Sequence, residues 1–318
     1  MVKNPVRLKE ILIERAKEVA VGCKRVFVAA SGGIDSSLVT VILCSAFGPE
    51  NVVALHRNIK SNPKHFEDVK RLQSLFNFKL LFIDLNFIYD DIINKLEEQF
   101  NTVDLLWAKE NSTEADKYGF TNAYASLKSR FITPLAGFIS KAIDYGNGRI
   151  FGTGNGEEDG LLRYFDKFGD GAVDNNILNG LTKAEVRQMA RYMGVPEEII
   201  TKVPSADLEA NGDIHNDESQ LTCWAKKMGF DVNISYGEPD GSKEGNIAWV
   251  WKEDIKHGIT TGENKNINKE LLFEKFNYSE EQISTILFVR EIEKNTRHKI
   301  NPIPGLERQI LINSGLVD

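Results

Sequence analysis

Ser31-Gly32-Gly33-Ile34-Asp35-Ser36-Ser37 joins an apolar run, Arg25 to Ala30, that reads as a buried strand to another, Ser36 to Phe47, that reads as a helix ended by Gly48. A strand, a glycine turn and a helix in that order set backbone N–H groups at a helix N-terminus, where they can converge on an anion. Gly32 and Gly33 let the backbone approach phosphate oxygens without a Cβ in the way, and the hydroxyls of Ser31, Ser36 and Ser37 add donors. Asp35 in the same turn would repel phosphate unless a metal ion intervened. The sequence contains no Gly-Lys dipeptide, which excludes the phosphate loop defined by its lysine. The plain alternative is a polar turn whose Ser and Asp residues only cap the helix.

Around this loop the pattern repeats. Leu8, Ile11, Leu12, Ala16 and Val19 fall at helical spacing, predicting an amphipathic helix from Pro5 to Val21. Strands are expected at Val52 to Leu55, Lys79 to Leu85 and Arg149 to Thr153, with a helix after Pro63 and a long helical pattern reaching about Ala142. Thr182 with Glu185 forms a capping box that opens a further helix. Helices alternating with short apolar strands imply a doubly wound parallel sheet with helices on both faces. No internal repeat and no Pro/Gly/Ser-rich linker divides the chain, so residues 1–318 are expected to form one domain with a C-terminal extension.

With 42% hydrophobic and 27% charged residues, the 318-residue chain has the balance of an ordinary globular protein. Its net charge of -7, with Lys and Arg spread among acids, provides no basic field for a nucleic-acid partner. No apolar run approaches the roughly 20 residues of a membrane span, and a cytoplasmic protein is expected. Cys23, Cys44 and Cys223 are scattered and form no metal or redox pair, so buried reduced thiols are expected.

SGGIDSS resembles the pyrophosphate loop of the N-type ATP pyrophosphatases, an adenine nucleotide α-hydrolase-like superfamily that splits ATP into AMP and pyrophosphate. Several acceptors occur in that superfamily, and the second half of the chain points to one. GTGNGEEDGLLRYFDKFGDGAVD, residues 152–174, is similar to the block of ammonia-dependent NAD synthetases that runs from a Gly-Thr turn to a Gly-Asp-Gly turn. Leu181-Thr182-Lys183, Pro204-Ser205-Ala206-Asp207-Leu208 and the closing Arg297-His298-Lys299 follow in the family's order. The resemblance spans most of residues 8–305.

The resemblance implies amidation of deamido-NAD by ammonia at the expense of ATP, through an adenylated carboxylate, in a homodimer. It implies ATP contacts from Ser31, Gly32, Gly33, Ile34, Asp35, Ser36, Ser37, Thr153, Lys183 and Ser205. Asp35 and Glu158 would be ligands of Mg2+, which prefers one or two carboxylates together with phosphates and waters. Arg130, Lys167, Asp174, His298 and Lys299 would hold deamido-NAD, a pyrophosphate with a further negative charge on its nicotinate. Asp170 would assist ammonia as a catalytic group; the alternative for it is a turn-forming aspartate. Free ammonia or a separate donor is expected, because the loop starts at Ser31 and the matched region fills the rest.

The sequence departs from the family in three places. Ala29 and Ala30 stand where glycine is frequent, and the block carrying Glu158 is one residue longer, which leaves the register of Lys167 open. Asp231 to Ile267 has no counterpart and reads as an insertion. Its Pro239-Asp240-Gly241 turn and the apolar stretch Ile247 to Trp251 suggest a β-hairpin, serving as a lid over the nucleotide or as an interface, with Trp249 and Trp251 as packing residues.

Overall fold

The computed structural model describes residues 1–103, 123–205, 217–237 and 245–300. Four parallel strands, β1 (Val26–Ala29), β2 (Val52–Asn58), β3 (Lys79–Asp84) and β4 (Arg149–Phe151), form a sheet in the order β3-β2-β1-β4. Val26 pairs with Val52 on one side and with Arg149 on the other, while Val53 pairs with Lys79. The chain thus winds outward from β1 to β3 and returns to the opposite side of β1. The crevice at that reversal, beyond the carboxyl ends of β1 and β4, is where open α/β sheets hold ligands.

Alternation along the strands divides the core in two. Val26, Val28, Val52 and Ala54 pack beneath α1 (Pro5–Val19), α2 (Ile34–Phe47) and α3 (Pro63–Phe76). α2 buries every residue from Ser36 to Cys44, so its burial runs round the whole circumference as in a helix packed on all sides. α4 (Asn86–Thr102) follows β3, and α5 (Ile132–Ile143) covers the reverse face, where Phe27, Val53 and Leu55 meet Ile132, Ala136 and Ile139. The expected helices on both faces are present. α6 (Lys183–Tyr192) closes the first face and starts with the expected capping box, Thr182 accepting from Glu185 N and Glu185 from Thr182 N.

The C-terminal helices, α7 (Asp217–Lys227), α8 (Ile247–His257), α9 (Lys269–Phe276) and α10 (Glu280–Thr296), bury their own cluster, including Leu221, Val250, Leu272, Ile286 and Phe288. Leu161 and Leu162 of the π-helical segment Gly156–Leu162 join it.

The hairpin expected in the insertion is corrected here. Ile247 to Trp251 is the start of α8, capped by the Asn246 side chain accepting from Trp249 N and ended at Gly258. Ile247 and Val250 are separated by one helical turn and both are buried, so a helix buries this run against α10 where a strand would turn alternate residues outward. The Pro239-Asp240-Gly241 turn lies outside the described residues; beside it, a single bridge joins Ser235 and Asn246. Trp249 packs edge-on to Tyr278, and Trp251 lies on the Gly156 backbone, where an added Cβ would come within 2.1 Å of the indole.

The cysteines differ from expectation. Cys44 alone is buried, which pushes its thiol up to about 12, whereas Cys23 is half-buried and Cys223 exposed. No described helix is long and apolar enough to cross a membrane.

Candidate active site

A cavity of about 810 Å³ opens at the carboxyl ends of β1 and β4. Its floor is the turn from β1 to α2. Gly32 adopts φ +84, and a Cβ there would sit 2.4 Å from the His65 carbonyl oxygen, so only glycine fits. Gly33 is the N-cap and has no side chain to offer, so the first N–H groups of α2 open toward the cavity with the positive end of the helix dipole. The hydroxyls brace the turn from within. Ser36 Oγ and Ser37 Oγ donate to Gly33 O at 3.1 and 2.8 Å, and Ser31 Oγ accepts from Gly33 N at 3.2 Å.

Beside the turn stands a charged cluster. The Lys183 ammonium, from the first turn of α6, contacts Asp35 Oδ2 at 2.5 Å and Glu158 Oε1 at 3.1 Å. Asn155 donates to Asp35 at 3.1 Å and to the Tyr236 hydroxyl at 2.8 Å, and that hydroxyl donates to Glu158. Asn155 also caps the π-helical segment by accepting from Glu157 N and Glu158 N, which fixes both acids against the cluster. Burial opposes charge on Lys183, but Asp35 and Glu158 outweigh it and lift its pKa above the ordinary ammonium value. Burial, reinforced by Asp35, raises Glu158 against the pull of Lys183. Burial also raises Glu157 to about 7 and Asp159 to about 8.

The donor set fits a magnesium ion. Asp35 and Glu158 direct carboxylate oxygens at one cation position, and the acids around it outnumber the lysine they share. Among the described residues no group of three or more His, Cys, Asp or Glu side chains could hold a metal alone. Two hard oxygen ligands with room for phosphate and water is the arrangement magnesium accepts.

Asp170 lies on another wall of the cavity. Its carboxylate accepts from Ser129 Oγ at 2.8 Å and from Asp166 N at 2.9 Å. The residue is open to the cavity while the protein around it still desolvates the carboxylate, which raises its pKa. Lys299 reaches the cavity from the far end of the chain, donating to the carbonyl oxygens of Arg163 and Phe165 at 2.8 and 2.5 Å. Glu293 of α10 pairs with Arg163 at 3.3 Å in a buried contact, and with Arg297 at 2.7 Å. The end of α10 is thereby strapped to the segment that leads to Asp170.

Of the residues expected at the site, Ser31, Gly33, Ile34, Asp35, Ser36, Thr153, Glu158, Asp170, Lys183, Ser205 and Lys299 line this one cavity. Gly32 and Ser37 stand behind them in the turn. Arg130 pairs with Asp166 at 3.2 Å, and Lys167 donates to His298 O at 2.7 Å; neither lines the cavity, although their chain neighbours Ser129 and Asp166 do. His298 is exposed and contacts Asn295 O through Nδ1. Asp174 is not brought to the cavity: its carboxylate accepts from Ile150 N at 2.8 Å and holds the edge of β4. The sequence reading missed Asn155 and Tyr236 of the charged cluster, and Lys128 and Lys202, which line the cavity. Asn155 carried an N-cap signal before three acids; Tyr236 lies in the stretch without a counterpart, and no local pattern marks it.

A turn that opens helix N–H groups onto a cavity, with two carboxylates and a lysine beside it at a sheet's reversal point, defines a nucleotide-phosphate-binding α/β protein. The chain belongs to the NAD synthase family, whose profile matches residues 7–228. It is 30% identical over 259 residues to the NH(3)-dependent NAD(+) synthetase of Carboxydothermus hydrogenoformans, covering 81% of this chain and 84% of that one. The enzyme of the same name from Finegoldia magna is 30% identical, with 86% of this chain and 100% of that one covered. Among solved structures, an NMN synthetase from Francisella tularensis superposes with a TM-score of 0.67 at 18% identity, covering 96% of this chain and 100% of that one. An NH3-dependent NAD synthetase from Campylobacter jejuni gives 0.61 at 21%, with the same coverage.

Proposed function

We propose that this protein amidates the carboxylate of deamido-NAD with ammonia, consuming ATP and releasing NAD, AMP and pyrophosphate. The observation that carries this reading is the single cavity in which the β1–α2 turn, the Asp35–Lys183–Glu158 cluster and the Asp170 wall face one another. Its volume lies within the range typical of small-molecule sites.

A carboxylate resists ammonia because its carbon is poorly electrophilic and its oxygen leaves badly. Attack of that oxygen on the ATP α-phosphorus makes AMP the leaving group. The N–H groups at the start of α2 hold the departing diphosphate, and Lys183 contributes a mobile cation once phosphate oxygens compete with its carboxylates. Asp35 and Glu158 would hold magnesium, which supplies charge neutralisation on the phosphoryl oxygens. Lys299 in the cavity, with Arg130 and Lys167 next in the chain to its Ser129 and Asp166 wall, would suit the anionic dinucleotide. Asp170 would hold ammonium and take its proton, since only neutral ammonia is nucleophilic. His298 would add a rim contact; Asp174 serves the sheet edge on this reading.

We also propose a homodimer. The outer strand β3 of the described sheet and the start of α4 leave Leu81, Phe82, Phe87 and Ile88 exposed, apolar side chains that a second copy would cover. A monomer in light scattering at micromolar concentration would remove that element.

The test is direct: pure protein, ATP, magnesium, ammonium and deamido-NAD, with NAD and AMP followed together. Equal amounts of both are expected. Nucleotide binding without AMP would reduce the protein to a regulator, and a preference for the nicotinate mononucleotide, run in parallel, would reassign the acceptor.

A further inference from the structure

Lys202 lies just after the short helix Glu197–Ile200 and lines the same cavity. Its ammonium donates to Gly32 O at 3.1 Å and pairs with Asp68 of α3 at 2.5 Å. An ammonium has three N–H donors, so one proton remains beyond these two contacts. Asp68 does not line the cavity, whereas Lys202 does. The carboxylate therefore stands behind the ammonium and the positive charge faces the space above the turn.

Lys183 is arranged the other way round. Both of its carboxylates, Asp35 and Glu158, line the cavity themselves, so its charge is shared on the side where phosphate would approach. An anion seated on the α2 N-terminus would meet Lys202 without displacing an acid. Lys202 also occupies the carbonyl of Gly32, in the same peptide unit whose N–H, on Gly33, donates to Ser31 Oγ. With that carbonyl drawn toward Lys202, its negative end is kept from turning to the anion. α3 supports the arrangement twice, through Asp68 and through the His65 carbonyl that crowds Gly32.

We propose that Lys202 is the cation that binds the β- and γ-phosphoryl groups of ATP and stays with the diphosphate as it leaves. The proposal rests on the adenylation reading above. In that step the carboxylate oxygen forms a bond to the α-phosphorus, the bond from that phosphorus to the bridging oxygen breaks, and its electron pair departs with the diphosphate. No proton moves, and the new negative charge develops over the turn beside Lys202.

The experiment titrates inorganic pyrophosphate and, separately, AMP into the full-length protein by calorimetry in the presence of magnesium. Lys202→Met is expected to weaken pyrophosphate binding by about tenfold or more, in line with the loss of a charge-assisted hydrogen bond, while AMP binding stays within about twofold. Lys202→Arg should recover most of that loss. Asp68→Asn cuts the anchor and leaves the charge, so its pyrophosphate affinity should remain within about threefold of the unmodified protein. Unchanged pyrophosphate binding in Lys202→Met would overturn the proposal. A loss in Asp68→Asn equal to that in Lys202→Met would overturn it too, because the lysine would then only tie α3 to the turn. If the unmodified protein bound neither ligand, the nucleotide site itself would fall and the proposal with it.

Discussion

The two ends of the cavity are built differently. At the phosphate end, the turn and the start of its helix come from seven consecutive residues, and their geometry is fixed by backbone: a left-handed glycine, an uncapped helix start, hydroxyls folded back on Gly33. At the other end nothing is local. Lys299 reaches carbonyls of Arg163 and Phe165, and Glu293 holds Arg163 from 130 residues away. A backbone-built end fails abruptly when altered, because one atom too many cannot be accommodated. An end strapped by side chains loosens by degrees.

The sharpest contrast should come from the acids. Asp35→Asn and Glu158→Gln should each cut kcat by about a hundredfold or more, with ATP binding altered by less than about tenfold, because a bound metal acts mainly on developing charge. Steady-state kinetics with binding measured in parallel decides this; near-normal rates in both variants would refute the metal assignment. Gly32→Ala comes next. Its Cβ would strike the His65 carbonyl and its φ is unfavourable for alanine, so a loss of about 1–3 kcal/mol is expected, visible in thermal unfolding and in a raised KM for ATP.

At the strapped end, Lys299→Ala should raise KM for deamido-NAD by about tenfold while kcat holds within a few fold, the signature of lost ground-state binding. Glu293→Gln should be milder in kinetics and clearer in stability, costing about 2–3 kcal/mol as a broken buried pair. Burial opposes the Glu293 charge, but Arg297 and Arg163 outweigh it and depress its pKa. Its stabilisation is therefore present above the ordinary carboxylate range and is lost as pH falls through the depressed value, so the variant should flatten the acid limb of the stability curve. The smallest effect is chemical: Cys223 should alkylate quickly in the native protein without loss of activity, while buried Cys44 should react only on unfolding, as mass spectrometry can read.

The same contrast separates what the sequence made legible from what it did not. Every strand of the sheet was readable from apolar runs, the first two helices ended within two residues of expectation, and the Thr182–Glu185 capping box is present as read. The turn was readable because its signals are adjacent in the chain. The hairpin reading of Ile247 to Trp251 failed because five consecutive apolar residues fit either a strand or a buried helix. Asn246 before the run and Gly258 after it were the deciding caps. Tyr236 and Lys202 were invisible for another reason. Each acts on the site through contacts 78 and 170 residues away, and no spacing rule reaches that far. Asp174 was transferred from the resemblance to the ligand, whereas here its carboxylate is engaged by the backbone of β4.

The central claim is that a carboxylate oxygen attacks the ATP α-phosphorus above the β1–α2 turn. Deamido-NAD carrying heavy oxygen in its nicotinate carboxylate, turned over with ATP and ammonium, tests it most directly by mass spectrometry of the nucleotide products. One labelled oxygen should appear in the phosphate of AMP for each NAD formed. Label found in inorganic phosphate, with ADP as the nucleotide product, would contradict the account.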